Sequence, residues 1–241
     1  MCTVTIIPKG ENDFILTSNR DEAPHRISLA PDFYTIEDTH LLFPKDEVAG
    51  GTWIGVSDKN RVVCVLNGAY VCHKRQAKYR LSRGVVAKDF MITGAIESTL
   101  ETYNLIDIEP FTMVIVDWNS TLKFYELVWD GNEKHVTQLP NVPKIWSSST
   151  LYSKEMKDER LDWFNAFKIE NELKASSLLA FHKRAGHDNM DYGVVMDRGF
   201  VKTTSITQVN KSGHVVDMRF ESLHDKSVTN TVFKSPQVVN E

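Results

Sequence analysis

Apolar and β-branched residues fall along this chain in short runs separated by turn residues. Cys2 to Ile7 and Phe14 to Thr17 flank the polar stretch Pro8 to Asp13, a spacing that predicts a hairpin. The same pattern pairs Gly51 to Val56 with Arg61 to Leu66, Phe111 to Asp117 with Lys123 to Trp129, and Val201 to Val209 with His214 to Phe220. Helical spacing is confined to two places, Ser82 to Met91 with Ala95 to Tyr103, and Lys154 to Phe167 with Asn171 to Arg184. The order is therefore hairpins, helices, hairpin, helices, hairpin. That is not the strict alternation of a doubly wound parallel sheet. It predicts an α+β fold of antiparallel sheets with helices grouped on their outer faces. No repeat, low-complexity tract or linker interrupts the chain, so residues 1–241 are expected to form a single domain. The stretches Ala23 to Pro44 and Val71 to Tyr79 read as loops that could wall a pocket. Asp225 to Glu241 carries little signal beyond Thr229 to Phe233, and its tip is expected to be loose.

Composition narrows the classes. A hydrophobic fraction of 41% with 25% charged residues suits a folded globular protein and argues against disorder. No apolar run approaches the roughly 20 residues that span a bilayer. The 28 basic and 32 acidic residues give a net charge of −4, which offers no footprint for nucleic acid or an anionic membrane. Three cysteines are too few for a disulfide scaffold, and the odd count fits a reducing compartment. Met1 to Ile7 runs straight into Pro8-Lys9-Gly10 and reads as a folded strand, not a secretory signal, so a cytoplasmic location is expected.

Cys2 is the first chemical candidate. A methionine before so small a residue is normally excised, which leaves a cysteine with a free α-amine. An amine of pKa about 7.7–8.0 beside a thiol of about 8.5 can act as its base. Free cysteine is also commonly buried and inert. The polar run Ser18-Asn19-Arg20-Asp21-Glu22 closes the second strand, so it can return to the end of the strand that begins with Cys2. An arginine beside a thiol stabilises the thiolate, and a carboxylate can orient the amine. Such a run is otherwise a solvated loop. Asn67-Gly68 by itself is a turn dipeptide. His182 and His187 stand five apart, not the four that puts two ligands on one helix face, and read as a polar helix end. Cys64 belongs to an apolar run, Cys72 to an exposed basic loop, and the five scattered tryptophans to packing.

Met1-Cys2 followed by Asn19-Arg20-Asp21-Glu22, with Arg26 after it, resembles the NRDE or transport and Golgi organisation 2 family. Gly50-Gly51-Thr52-Trp53-Ile54-Gly55 is similar to that family's second signature. A wider resemblance links the chain to the N-terminal-nucleophile amidases that include penicillin V acylase and bile salt hydrolase. It implies a four-layer αββα sandwich and cleavage or transfer at a non-peptide carboxamide or related acyl bond, without a cofactor or metal. It also implies roles. Cys2 would be the nucleophile, Arg20 would tune its thiolate, and Asp21 would hold the amine. Asn67 and Ser148 would receive the oxyanion, and Lys202 would stand where the amidases use an arginine. Two departures are present: Ser148, within Trp146-Ser147-Ser148-Ser149-Thr150, replaces an asparagine, and Lys202 lacks the arginine fork. Asn19, Glu22, Arg26, Gly50, Gly51, Thr52 and Trp53 would be motif residues supporting the site. The two glycines permit close backbone approach, and Trp53 is expected to bury its ring beside a cleft. The expected partner is a small-molecule substrate. The alternative is a carrier for a hydrophobic small molecule such as an acyl-CoA, lipid or haem.

Overall fold

The first hairpin sets the frame. β1 (Cys2–Lys9) and β2 (Asp13–Glu22) turn through Gly10, whose φ of +69° lies in the left-handed region that glycine enters freely. Pleating sends Val4, Ile6, Phe14 and Leu16 into one core and Ile7 and Ile15 into another. Both faces of these strands are buried, so apolar and β-branched residues occupy consecutive positions, Val4 to Ile7 and Phe14 to Thr17. The structure is a computed structural model that describes residues 2–234, with the backbone alone at Cys2. Met1 and the expected loose tip, Ser235 to Glu241, lie outside the described residues.

The next strands are β3 (Ser28–Ile36), β4 (Thr39–Asp46), β5 (Ile54–Ser57) and β6 (Arg61–Asn67), followed by helices α1 (Arg83–Ile92) and α2 (Ile96–Thr102). Then come β7 (Phe111–Asp117), β8 (Lys123–Trp129), β9 (Lys134–Leu139) and β10 (Lys144–Ser147), with α3 (Lys154–Glu170) and α4 (Ala175–Arg184). β11 (Lys202–Ser212), β12 (Val215–Ser222) and β13 (Val228–Lys234) complete the order. They form a six-stranded sheet, β10-β1-β2-β11-β12-β13, and a seven-stranded sheet, β3-β4-β5-β6-β7-β8-β9. All pairings within the two sheets are antiparallel.

Three cores separate four layers. Val4, Leu16, Ile54, Val114 and Met218 pack between the sheets. Val63, Phe90, Met91, Leu100 and Ile115 join α1 and α2 to the seven-stranded sheet. Ile7, Ile15, Phe164, Leu178 and Phe181 join α3 and α4 to the six-stranded one. This is the αββα sandwich that the resemblance implied.

Several segment expectations need correction. Ala23 to Pro44 is not a loop: it carries β3 and most of β4. β3 is a sheet edge with mostly exposed side chains, so it lacks the apolar run that marks an interior strand. Its turn is made by Glu37 and Asp38 at φ 46° and 61°, the backbone of a tight hairpin. β9, another exposed edge, and β10, only four residues long, escaped for the same reason. α4 begins at Ala175 instead of Asn171, and α3 runs on to Glu170.

Candidate active site

Four chain segments meet where β1 begins. The ladder pairs Cys2 with Arg20 and Thr3 with Asn19 on one side, and Thr3 with Ser147 on the other. Ser148 follows directly, and its hydroxyl donates to the Asn67 carbonyl at 2.5 Å, tying the six-stranded sheet to the end of β6. Gly68 makes that approach possible. Its φ is +82°, and a Cβ there would lie 2.5 Å from Ser149 Oγ and 2.8 Å from Thr150 Cγ2.

The direction of the Asn67 amide follows from its neighbours. Gly68 N–H donates to Pro110 and Trp118 N–H to Asn60, so even-numbered residues of β6 bond toward β7. Val65 N–H donates to Trp53, so odd-numbered ones face β5. The Asn67 N–H therefore points to the β5 side, beyond the last bond at Trp53.

The run 19–22 lies within β2, not in a turn, and its alternate residues face different layers. Arg20 faces the sheet–sheet interior, only 3% exposed. Its guanidinium contacts Asp46, donates to Ser28 Oγ at 3.1 Å and sits 4.7 Å over the Trp53 ring. Arg26 bonds the same Asp46 oxygen at 2.7 Å and lies 3.4 Å from Glu22. Burial pushes the Asp46 carboxyl up, but the Ala49 N–H and the two arginines outweigh it and hold the group below the usual range.

Asn19 and Asp21 face α3 and α4. Asp21 is fully buried and accepts from Tyr152 Oη at 2.6 Å and Thr203 Oγ1 at 2.7 Å. Burial raises its proton affinity against the opposing pull of Arg160 and those two hydrogen bonds. Asn19 donates to the carbonyls of His182 and Val194 at 2.9 and 2.6 Å. Its Oδ1 accepts from His182 Nδ1 at 2.7 Å, which leaves His182 Nε2 to accept from Thr5 Oγ1 at 2.7 Å. Burial, then the Arg160 charge, depress His182 to a pKa of about 3. His182 is thus a buried neutral base, not the polar helix end expected.

Trp53 is 8% exposed and borders a cleft of about 680 Å³ together with Arg20, Glu22, Asp46, Asn67 and Arg83. Gly50, at φ +65°, turns the chain into this segment. A Cβ on Gly84 would stand 2.9 Å from the Thr52 carbonyl, so the first turn of α1 packs directly on Gly51 and Thr52. Thr52 Oγ1 lies 2.7 Å from both the Pro44 and Ile54 carbonyls, fixing the entry to β5. Five cationic side chains, Arg20, Arg26, Arg75, Lys78 and Arg83, line the cleft against the carboxylates Glu22, Asp46 and Glu109. The Val71 to Tyr79 loop supplies part of this wall, as expected.

The model of the family described as Transport and Golgi organisation 2 matches residues 1–183. The chain belongs to the transport and Golgi organisation 2 family. No curated protein matches this family member in sequence. Its fold is similar to that of penicillin V acylase from Agrobacterium tumefaciens, at 10% identity over 95% of this chain and 85% of that one, TM-score 0.58. A single-residue variant of conjugated bile acid hydrolase from Clostridium perfringens matches at 11% identity over 99% and 100%, TM-score 0.54. The Caenorhabditis elegans orthologue of N-acylethanolamine-hydrolyzing acid amidase matches at 10% identity over 86% and 92%, TM-score 0.59. These likenesses place this transport and Golgi organisation 2 protein in the N-terminal-nucleophile hydrolase fold.

Ser148 and Lys202, like the buried Asp21, stand apart from the main cleft. Ser148 borders a separate hollow of about 330 Å³ with Trp146 and Lys157, its hydroxyl engaged by Asn67. Lys202 pairs with Glu22 across the ladder, beside a bulge, and borders a third hollow of about 260 Å³ with Leu29 and Phe220. Among the described residues no cluster of His, Cys, Asp and Glu is arranged to hold a metal, and no helix is long and apolar enough to cross a membrane. Sequence reading missed Tyr152 and Arg160. Arg160 does leave a trace: it precedes Phe164 and Phe167 by four and seven residues, a charge within the buried stripe of α3.

Proposed function

We propose that this protein is an N-terminal cysteine-nucleophile hydrolase or acyltransferase acting on a non-peptide carboxamide or related acyl bond. Excision of Met1 would free the amine of Cys2. The observation that carries the reading is the ladder pairing of Cys2 with Arg20, at a strand end beside a 680 Å³ cleft. The amine takes the thiol proton, and the sulfur attacks the acyl carbon. The carbonyl π pair moves to oxygen, where the Asn67 N–H can meet it. Such a donor contributes about 2.7–4 kcal/mol when aimed at the developing oxyanion. The pair returns, the C–N bond breaks, and the ammonium protonates the leaving nitrogen. Water, or another nucleophile in a transferase, then releases the acyl group from sulfur.

In this reading Arg20 supplies the charge that favours thiolate, and Asp21 orients the amine. Ser148 holds Asn67 in place through its carbonyl, and Lys202 takes no part. Eight charged side chains along the cleft suit a polar or anionic acyl compound better than the hydrophobic cargo of a carrier. The low cysteine count supports a cytoplasmic location.

The test is the site-resolved rate of iodoacetamide labelling against pH, on protein whose mass shows Met1 removed. Cys2 is expected to outpace Cys64 and the exposed Cys72 near neutral pH, and Arg20→Ala to slow it. A Cys2 midpoint near 8.5 that Arg20→Ala leaves unchanged would refute an activated thiol.

A further inference from the structure

Arg160 is a fully buried cation whose hydrogen bonds, among the described residues, all go to neutral oxygens. Nε donates to the Tyr192 carbonyl at 2.9 Å and Nη2 to the Gly193 carbonyl at 2.7 Å. Nη1 donates to Thr3 Oγ1 and, at 3.3 Å, to Ser147 Oγ. Thr3 and Ser147 are ladder partners at the start of β1, so this charge lies under the strand end on the α3 side. The guanidinium carbon is 3.6 Å from the Tyr152 ring centroid, and the Tyr152 hydroxyl bonds Asp21. A buried cation is costly unless an opposite charge faces it, and the carboxylate that faces Arg160 is Asp21, reached across Tyr152 rather than by a direct hydrogen bond.

We propose that Arg160, acting directly and through the Tyr152–Asp21 pair, lowers the proton affinity of the amine at the start of β1 and keeps it a free base near neutral pH. This makes Arg160 and Tyr152 positioning residues for the reaction, and it rests on the reading of Cys2 given above. A buried carboxylate alone would hold that amine as ammonium. Tyr152 and Thr203 each draw off part of the Asp21 charge by hydrogen bonding, and the like charge of Arg160 disfavours a second cation nearby. His182, on α4, responds to the same charge in the same direction.

The groups facing this network come from every packed element. β1 gives Thr3 and Thr5, and β2 gives Asn19 and Asp21; on the other face of β2, Arg20, the ladder partner of Cys2, is met by Asp46, and Glu22 by Arg26. β10 gives Ser147, α4 gives His182, and β11 gives Thr203. Arg198 lies 5.6 Å from the Tyr152 ring but is paired with Asp191 at 2.9 Å.

The amine can be titrated without the thiol. In a Cys2→Ser chain that begins at residue 2, cyanate carbamylates only the unprotonated amine, and the N-terminal peptide mass gives its rate at each pH. Arg160→Met and Tyr152→Phe are expected to move the midpoint up by about one pH unit, roughly tenfold slower labelling below it. Arg160→Lys, which keeps the charge, should stay near the parent. Unchanged or lowered midpoints in folded variants would overturn the proposal. Should Arg160→Met fail to fold, Tyr152→Phe, which removes one hydroxyl, decides it alone. Because the thiol is absent, this result stands or falls separately from Cys2 reactivity.

Discussion

His182 is a base that folding keeps neutral. Its pKa falls from about 6.5 unfolded to about 3 in the fold. Between those values the unfolded chain binds the extra proton, so stability drops as pH falls through that window, by about 1.4 kcal/mol per pH unit. Asp21, raised by burial, acts with the opposite sign and gains stability as pH falls. His182→Gln separates the two. From pH 7 to 5 the denaturant midpoint of the parent should fall more steeply than that of the variant; parallel curves would mean that His182 already carries a proton in the fold. At this scale the approach of Arg20 to Cys2 was legible because a strand end, a charge run and a motif coincide. Tyr152 and Arg160 were not, because their chemistry comes from Asp21 and Thr3, more than 130 residues away in sequence.

Two short segments hold the cleft. The first is Asn67-Gly68, where the left-handed φ and the contact with Ser149 and Thr150 exclude a Cβ. Gly68→Ala is expected to destabilise the protein by about 1–3 kcal/mol, read as a lower denaturant midpoint. A neutral result would mean that the segment after β10 can shift to make room. The second is Gly51-Thr52-Trp53. With Trp53 buried against Arg20, Trp53→Ala should cost about 3–5 kcal/mol. An unchanged midpoint would assign the ring to ligand contact instead. Interior strands such as β6 and β7 were legible because both faces are apolar. The edges β3 and β9 were not, since an edge strand needs few buried side chains and is marked mainly by its partner.

Across the whole molecule, four layers and three cores follow from strands that are apolar on two faces and helices apolar on one. The segment order signalled antiparallel sheets with grouped helices, but not which hairpins join. β2 pairs with β11, matching Glu22 to Lys202, a contact no local pattern encodes. That pairing assembles the motif residues of the first quarter of the chain with Thr203 from its last. The proposed acyl transfer lies at this junction, and trapping its covalent intermediate is the decisive measurement. Protein lacking Met1 is mixed with a p-nitrophenyl acyl ester, quenched in acid within a turnover, and digested for peptide mass. An acyl thioester on Cys2 is expected, absent from Cys2→Ala and from protein that retains Met1. Ester turnover that persists undiminished in Cys2→Ala, with no acyl group on Cys2 of the parent, would contradict it.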